Sequence, residues 1–283
     1  MYQFRSSEMK GVCTMLVAAS IQLEAVEAGQ LREATGRLVH GFWFHHWGQV
    51  DAEQSARLHA GQGLRPFTLS PLLGLPRPRR GEATVKPGQT AWFRVTTLEP
   101  TLSDALRTTW LARLPEVVTL GEIPWRVTGY TLDSAENPWL GQAAPQALAE
   151  QYLLASRPAH RWRLRFATPT AFHATAGHLP FPLPGALVGS WLRQWQAFGQ
   201  VRLPEDFPEH IHAGLAISAY RLQTVPVHDR QRITIGCVGT LTLRATKLSK
   251  PLCAAVDLLA HYALWAGSGH RTTQGYGMTR LLT

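Results

Sequence analysis

Cysteine, lysine and clustered acids are what this sequence has little of. Its three cysteines, Cys13, Cys237 and Cys253, are scattered through 283 residues with no Cys-x-x-Cys pair, which argues against a structural zinc site and a disulfide framework. That usage points to a reducing, cytoplasmic compartment. No secretory-signal pattern opens the chain, and the apolar stretch 12–23 is too short to span a bilayer and is interrupted by Ser20 and Gln22. Carboxylates at metal-ligand spacing are missing as well. Asp51 and Glu53 alone are too few for a metal-dependent nuclease, so neither a metal nor a cofactor is expected. No Gly-x-x-x-x-Gly-Lys-Ser/Thr run and no aromatic RNP octapeptide occur, which removes the P-loop and the ordinary RNA-recognition module.

What is abundant is arginine. Lys+Arg number 28 against 19 Asp+Glu, for a net charge of +9, and since only Lys10, Lys86, Lys247 and Lys250 are lysines, 24 of the 28 are arginines. Arginine's planar fork grips phosphates and stacks on bases, so a polyanionic partner is the leading expectation. Hydrophobic residues at 45% suffice for a packed core, and the length favours two domains at roughly 100–200 residues each.

Hydrophobic periodicity gives the same element order twice. In the first half a strand at 14–23 precedes helices at 33–49 and 52–58. An extended segment at 66–73, a strand at 90–98, a helix at 102–114 and strands within 117–130 follow. Residues 133–150, with Asn137-Pro138, Gly141 and Pro145, form the expected linker. In the second half a strand at 161–167 is followed by a helix at 185–198 and a loop at 203–212. Strands at 215–225 and 232–245, a helix at 252–265 and a strand at 276–282 complete it. The order β-α-β-β-α-β in each half is the ferredoxin-like unit, so the expected fold is α+β with two such domains in tandem, 1–132 and 151–283.

Two segments stand out chemically. The strand His160-Arg-Trp-Arg-Leu-Arg-Phe places Arg161, Arg163 and Arg165 on one face and Trp162, Leu164 and Phe166 on the other. An arginine row on an open sheet suits a phosphate backbone, and equally a solvated sheet face. The second segment, 267–280, reads Gly-Ser-Gly-His-Arg-Thr-Thr-Gln-Gly-Tyr-Gly-Met-Thr-Arg and joins the last helix to the last strand. A dinucleotide-binding glycine motif runs from strand to helix, so this reversed order rejects that reading. Paired glycines let backbone amides converge on anionic oxygens, and His270, Arg271, Thr272 and Thr273 add donors. Trp191 and Trp195, at helical spacing, are expected in the core, whereas Trp162 and Tyr276 are stacking candidates. The run Arg77-Pro-Arg-Arg80 is a further basic loop.

These features together resemble the Cas6 family, the CRISPR repeat-RNA endoribonucleases within the RAMP superfamily. The glycine-rich pattern at Gly267–Gly277 is similar to that family's signature. Ser55-Ala-Arg-Leu-His59 with Pro66-Phe-Thr-Leu-Ser-Pro71, Phe166-Ala-Thr-Pro-Thr-Ala-Phe172 and Pro182-Leu-Pro-Gly185 also resemble its segments in order. The resemblance implies metal-independent cleavage of precursor CRISPR RNA within repeats. The RNA's own 2′-hydroxyl would attack, leaving a 2′,3′-cyclic phosphate and a 5′-hydroxyl. Repeat RNA is the implied partner, with other effector-complex subunits and a second copy of the chain as further candidates, and no membrane. A rival reading is a RAMP-type subunit that holds guide RNA without cutting it.

Such cleavage needs one proton removed, one proton given and positive charge at the phosphorane. Histidine suits both transfers. His59 stands where the family's catalytic histidine follows a leucine. Phe44 stands at a position where some members carry a tyrosine, which leaves the general base open between His40 and His46. Arg65 stands near a family lysine position and could stabilise charge. RNA binding is expected at Gly267, Gly269, His270, Arg271, Thr272, Thr273, Gly275, Tyr276 and Gly277 of the loop and at Arg161, Arg163 and Arg165 of the strand.

Overall fold

The computed structural model describes residues 3–4, 15–32, 34–61, 63–76, 82–174, 177–204, 207–229 and 232–282. The first half comprises β1 (Gln3–Phe4), β2 (Leu16–Ala25), β3 (Gly29–Arg32), α1 (Thr35–Val50), α2 (Ala52–Ala60), β4 (Phe67–Leu69), β5 (Glu82–Val85) and β6 (Thr90–Thr97). It continues with α3 (Pro100–Ala105), a π-helical turn (Leu106–Trp110), β7 (Val117–Leu120), β8 (Ile123–Thr131) and β9 (Gly141–Ala143). The second half comprises α4 (Pro145–Leu153), β10 (Arg161–Thr170), β11 (Phe172–Ala174), β12 (Gly177–Leu179), α5 (Pro184–Phe198), β13 (Val201–Arg202) and α6 (Phe207–Gly214). It ends with β14 (Leu215–Asp229), β15 (Arg232–Ala245), α7 (Lys250–Ala266), a 3-10 turn (Thr272–Gln274) and β16 (Thr279–Leu282).

The sheet orders establish the topology. In the larger sheet the path is β4-β6-β2-β8-β7, with β9 also on β2; in the other it is β14-β15-β10-β16. Each places the first strand of its unit between the third and the last, with the second strand outside the third, and neighbours run antiparallel. The fold is two ferredoxin-like units in tandem.

Several expected boundaries move. Residues 133–150 carry β9, which extends β2's pairing at Leu16–Ala18, and the first turns of α4. Pro145 there is a helix starter, since proline's missing N–H is no loss at the first helical position. The stretch 203–212, expected as loop, holds most of α6, whose Phe207 and Ile211 are buried one turn apart.

The two units share a wall. Along β2, Leu16 and Ala18 face the second unit's core, while Val17, Ala19, Ile21 and Leu23 face the first. Helix α7 is apolar on nearly every side and packs against elements of both sheets, as a helix without a polar face must. Its last carbonyls are taken up by the first unit: Arg94 Nη1 donates to Leu264 O at 2.9 Å, and Thr96 Oγ1 donates to Trp265 O at 2.7 Å. Arg94 is 1% exposed and burial pushes its pKa down to about 9; a second donation, to Trp139 O at 3.2 Å, helps to hold it there. No helix among the described residues is long and apolar enough to cross a membrane.

Candidate functional site

The site begins at the corner between α1 and α2. Asp51 ends one helix and caps the next, its carboxylate accepting the Gln54 N–H at 2.9 Å, so two helices meet at a fixed angle without a loop. This turns the last turn of α2 back against the middle of α1. His59 lies exposed there, its ring 3.9 Å from that of Phe44. Phe44 in turn meets His40 edge-on at 5.0 Å. Arg65 follows the α2 C-terminus and folds back so that its Nη1 donates to Leu58 O. His40, Phe44, His59 and Arg65 are therefore brought together.

His40 is also tied to the other unit. Its Nδ1 lies 2.9 Å from Thr273 O, and a carbonyl can only accept, so Nδ1 carries the proton and Nε2 presents a lone pair. Burial lowers the His40 pKa, opposed by the Thr273 hydrogen bond and helped by the charges of His59, Arg37 and Arg65. A neutral, oriented imidazole beside a second, exposed one is equipment for paired proton transfer.

The glycine-rich segment packs against the start of α1. Gly267, Gly269, Gly275 and Gly277 have φ of 65°, 79°, 94° and 72°. A Cβ on Gly269 would lie 2.2 Å from Ala171 O, and one on Gly277 2.1 Å from Ser268 O. The loop's own close packing thus demands all four glycines. Gly267, His270, Thr272, Gly275, Tyr276 and Gly277 are buried, and Arg271, Thr273 and Gln274 are the members more open to solvent. Arg271 donates to Thr234 Oγ1 on β15 at 3.1 Å. A cleft between loop and helix is lined by Gly36, Arg37, Pro71, Pro169, Gln274 and Tyr276.

On β10 the alternation is as expected: Arg161, Arg163 and Arg165 are exposed, and Trp162, Leu164 and Phe166 are buried. The sequence pattern did not single out Arg221 and Tyr220 on β14 or Arg244 on β15, which border depressions on the same open sheet face. Arg244 pairs directly across from Arg161, a juxtaposition only the strand register reveals.

Two expectations are corrected. His46 is 2% exposed, stacked on Phe42 and bonded through Nε2 to Trp110 O at 3.0 Å, because position 46 points to the core side of α1, away from His59. Trp162 is no stacking platform: it is fully buried, and its Nε1 donates to Asp257 at 3.0 Å. Trp191 and Trp195 are core, as expected. Arg77–Arg80 and Cys13 lie outside the described residues.

The fold that carries this site is two ferredoxin-like units in tandem, with a glycine-rich loop before the last strand. Consistent with that fold, the chain matches a solved structure described as a RAMP protein binding different RNA substrates, at 10% identity and TM-score 0.61, over 94% of this chain and 100% of that one. Residues 164–279 match the family model of the CRISPR-associated endoribonuclease Cas6. A Cas6 product complex is similar at 27% identity and TM-score 0.74, over 95% of this chain and 100% of that one. A Thermus thermophilus Cas6 is similar at 25% identity and TM-score 0.73, over 96% and 100%. No curated protein sequence matches. The family model thus covers the second half of the chain, and the solved Cas6 structures extend the likeness over both halves.

Proposed function

We propose that this chain matures CRISPR guide RNA, cutting precursor transcripts within their repeats without a metal, by attack of the RNA's own 2′-hydroxyl. The observation that carries the reading is the pairing of His40 and His59 across Phe44, with His40 oriented by the glycine loop. His40, held neutral with Nε2 free, takes the proton from the 2′-hydroxyl. His59, at the solvent-facing end of α2, gives a proton to the departing 5′-oxygen. Arg65, anchored on Leu58 O, keeps a positive charge beside the phosphorane, whose negative charge grows in the transition state. The products are a 2′,3′-cyclic phosphate and a 5′-hydroxyl. His46, enclosed in the core, takes no part.

The catalytic corner belongs to the unit 1–132 and the glycine loop to 151–283. Repeat RNA lies across both, its backbone on Arg161, Arg163, Arg165 and the open groups of the loop, above all Arg271 and Thr273. The test is incubation of the full chain with repeat RNA in EDTA, beside the same RNA carrying a 2′-deoxy nucleotide at the cut. Cleavage in EDTA with cyclic phosphate ends, and none of the deoxy substrate, is expected. Tight binding of repeat RNA without cleavage would instead establish a non-cutting guide-RNA subunit.

A further inference from the structure

Away from the catalytic corner, three imidazoles meet at one place. β11 and β12 form a short hairpin in which His173 pairs with His178. Both rings are exposed and lie over His270 of the glycine loop, with centroids 4.9 Å and 4.2 Å from it and 5.7 Å from each other. His270 itself is 8% exposed, and neither of its ring nitrogens has a hydrogen-bond partner. Its main chain is fixed, because its backbone N–H is bonded to Ala171 O at 3.0 Å and a Cβ on the preceding Gly269 would lie 2.2 Å from the same carbonyl oxygen. A buried imidazole without partners is costly and wants a ligand.

The surroundings say which ligand. The charged groups acting on His178 and His270 are the neighbouring histidines and Arg271, which β15 holds through Thr234. From α5 the neutral Ser190 hydroxyl accepts the Gly269 N–H and the Trp191 indole donates to Ser268 Oγ, and within the loop the Tyr276 ring stands edge-on at 6.2 Å. A metal ion fits poorly. A ligating histidine passes its second N–H to a carbonyl or carboxylate, which His270 lacks, and the guanidinium would repel a cation. Among the described residues no group of three or more His, Cys, Asp or Glu side chains is arranged to hold one. An anion with several acceptor oxygens satisfies every member.

We propose that His173, His178 and His270 form a proton-coupled phosphate pocket, in which a phosphodiester of bound RNA completes the hydrogen bonding of His270. In naming RNA as the source, this rests on the proposed function. With the pocket empty, burial and the charges of His173, His178 and Arg271 hold the His270 pKa down to about 4. A phosphate in contact restores it toward the ordinary value of about 6.5, so binding takes up one proton from solvent between those limits. Affinity then weakens by about tenfold for each pH unit gained there.

The experiment uses the full chain, repeat RNA with a 2′-deoxy nucleotide at the cut, and inorganic phosphate as the second probe. Histidine ring resonances are titrated from pH 4.5 to 7.5 alone and with each probe, and RNA affinity is measured at fixed salt from pH 5 to 6.5. The His270 midpoint should rise by at least about one unit with RNA. His270→Asn, or the exposed pair His173→Asn/His178→Asn if the first fails to fold, should flatten the pH dependence of affinity. An unmoved midpoint with both probes overturns the pocket, as do ring shifts produced by Zn²⁺ alone. Movement with inorganic phosphate but not RNA overturns the assignment to RNA. Normal cleavage with an unmoved midpoint sinks this inference alone, whereas a raised midpoint without cleavage sinks only the nuclease reading.

Discussion

Gly36, in the first turn of α1, touches the glycine loop backbone to backbone. A Cβ at this position would lie 2.1 Å from Gln274 O and 2.9 Å from Gly275 Cα. A carbon and a carbonyl oxygen settle no closer than about 3.3 Å, so Gly36→Ala must open the contact by roughly 1.2 Å. No flexible side chain can give way, because both partners are main chain and Gly275 is itself wedged against Pro71. His40 lies one turn further along α1, so the same displacement stretches its 2.9 Å bond to Thr273 beyond hydrogen-bonding range. Overpacking of about 1–3 kcal/mol and a lost hydrogen bond of about 1 kcal/mol put the destabilisation near 2–4 kcal/mol. A 1 Å error in a positioned catalytic group costs on the order of 100-fold, which is the loss expected in single-turnover cleavage of repeat RNA. Gly41→Ala is the matched control, since its Cβ would meet nothing within 4 Å. It should stabilise the fold by about 0.5–1 kcal/mol through helix propensity alone, with cleavage unchanged. Urea unfolding and single-turnover assays on both variants decide the matter. If Gly36→Ala unfolds at the wild-type midpoint and cleaves at the wild-type rate, the loop does not position the catalytic helix.

His59→Ala should slow single-turnover cleavage by about 10²–10⁴-fold with RNA affinity held, and His40→Ala should do the same while flattening the acid side of the rate profile more than the alkaline side. His46→Ala should instead cost about 2–4 kcal/mol in a melt, through its lost packing on Phe42 and Trp110, and leave the rate per folded molecule intact. Arg163→Ala with Arg271→Ala should flatten the slope of log affinity against log salt by about 1.4, at roughly 0.7 per phosphate contact on single-stranded RNA; an unchanged slope removes both from the interface. Stability should fall as pH drops through the window from about 6.5 to 4, because the unfolded chain binds a proton there that folded His270 does not. Above that window its contribution is flat. The ceiling from His270 is about 3 kcal/mol at pH 4, at about 1.4 kcal/mol per pKa unit, and His270→Asn should shrink the acid slope measured by chemical unfolding.

Strand and helix order was legible because period-two and helical patterns are local. The alternation from Arg161 to Phe166 is enough by itself to say which side of β10 is buried. What escaped was whatever depends on partners far along the chain. Arg94 sits in an ordinary strand pattern, and nothing nearby announces that it will be sealed against carbonyls 45 and 170 positions away. The bond from His40 to Thr273 spans 233 positions, so the sequence could nominate His40 and His46 alike and not separate them. Helix face separates them, since only position 40 turns toward His59. The helices α4 and α6 were hidden by prolines that mark helix starts as readily as loops. His173 and His178 carry no signal in the sequence, because two exposed histidines on a hairpin mean nothing until a third lies beneath them.

The shared wall formed by β2 and α7 has a consequence for how this protein can be taken apart. A fragment ending near residue 150 would leave Leu16 and Ala18 bare on one side of the central strand and Arg94 without the Leu264 carbonyl that helps to hold it. The two units are repeats in topology without being modules in stability. Swapping one half for that of a relative would succeed only if α7 and β2 travelled together, and a break between the halves would be tolerated best where the fragments could re-associate. The corner proposed to be catalytic therefore needs α7 in place, and the ribosome must release that helix before the corner is held in position.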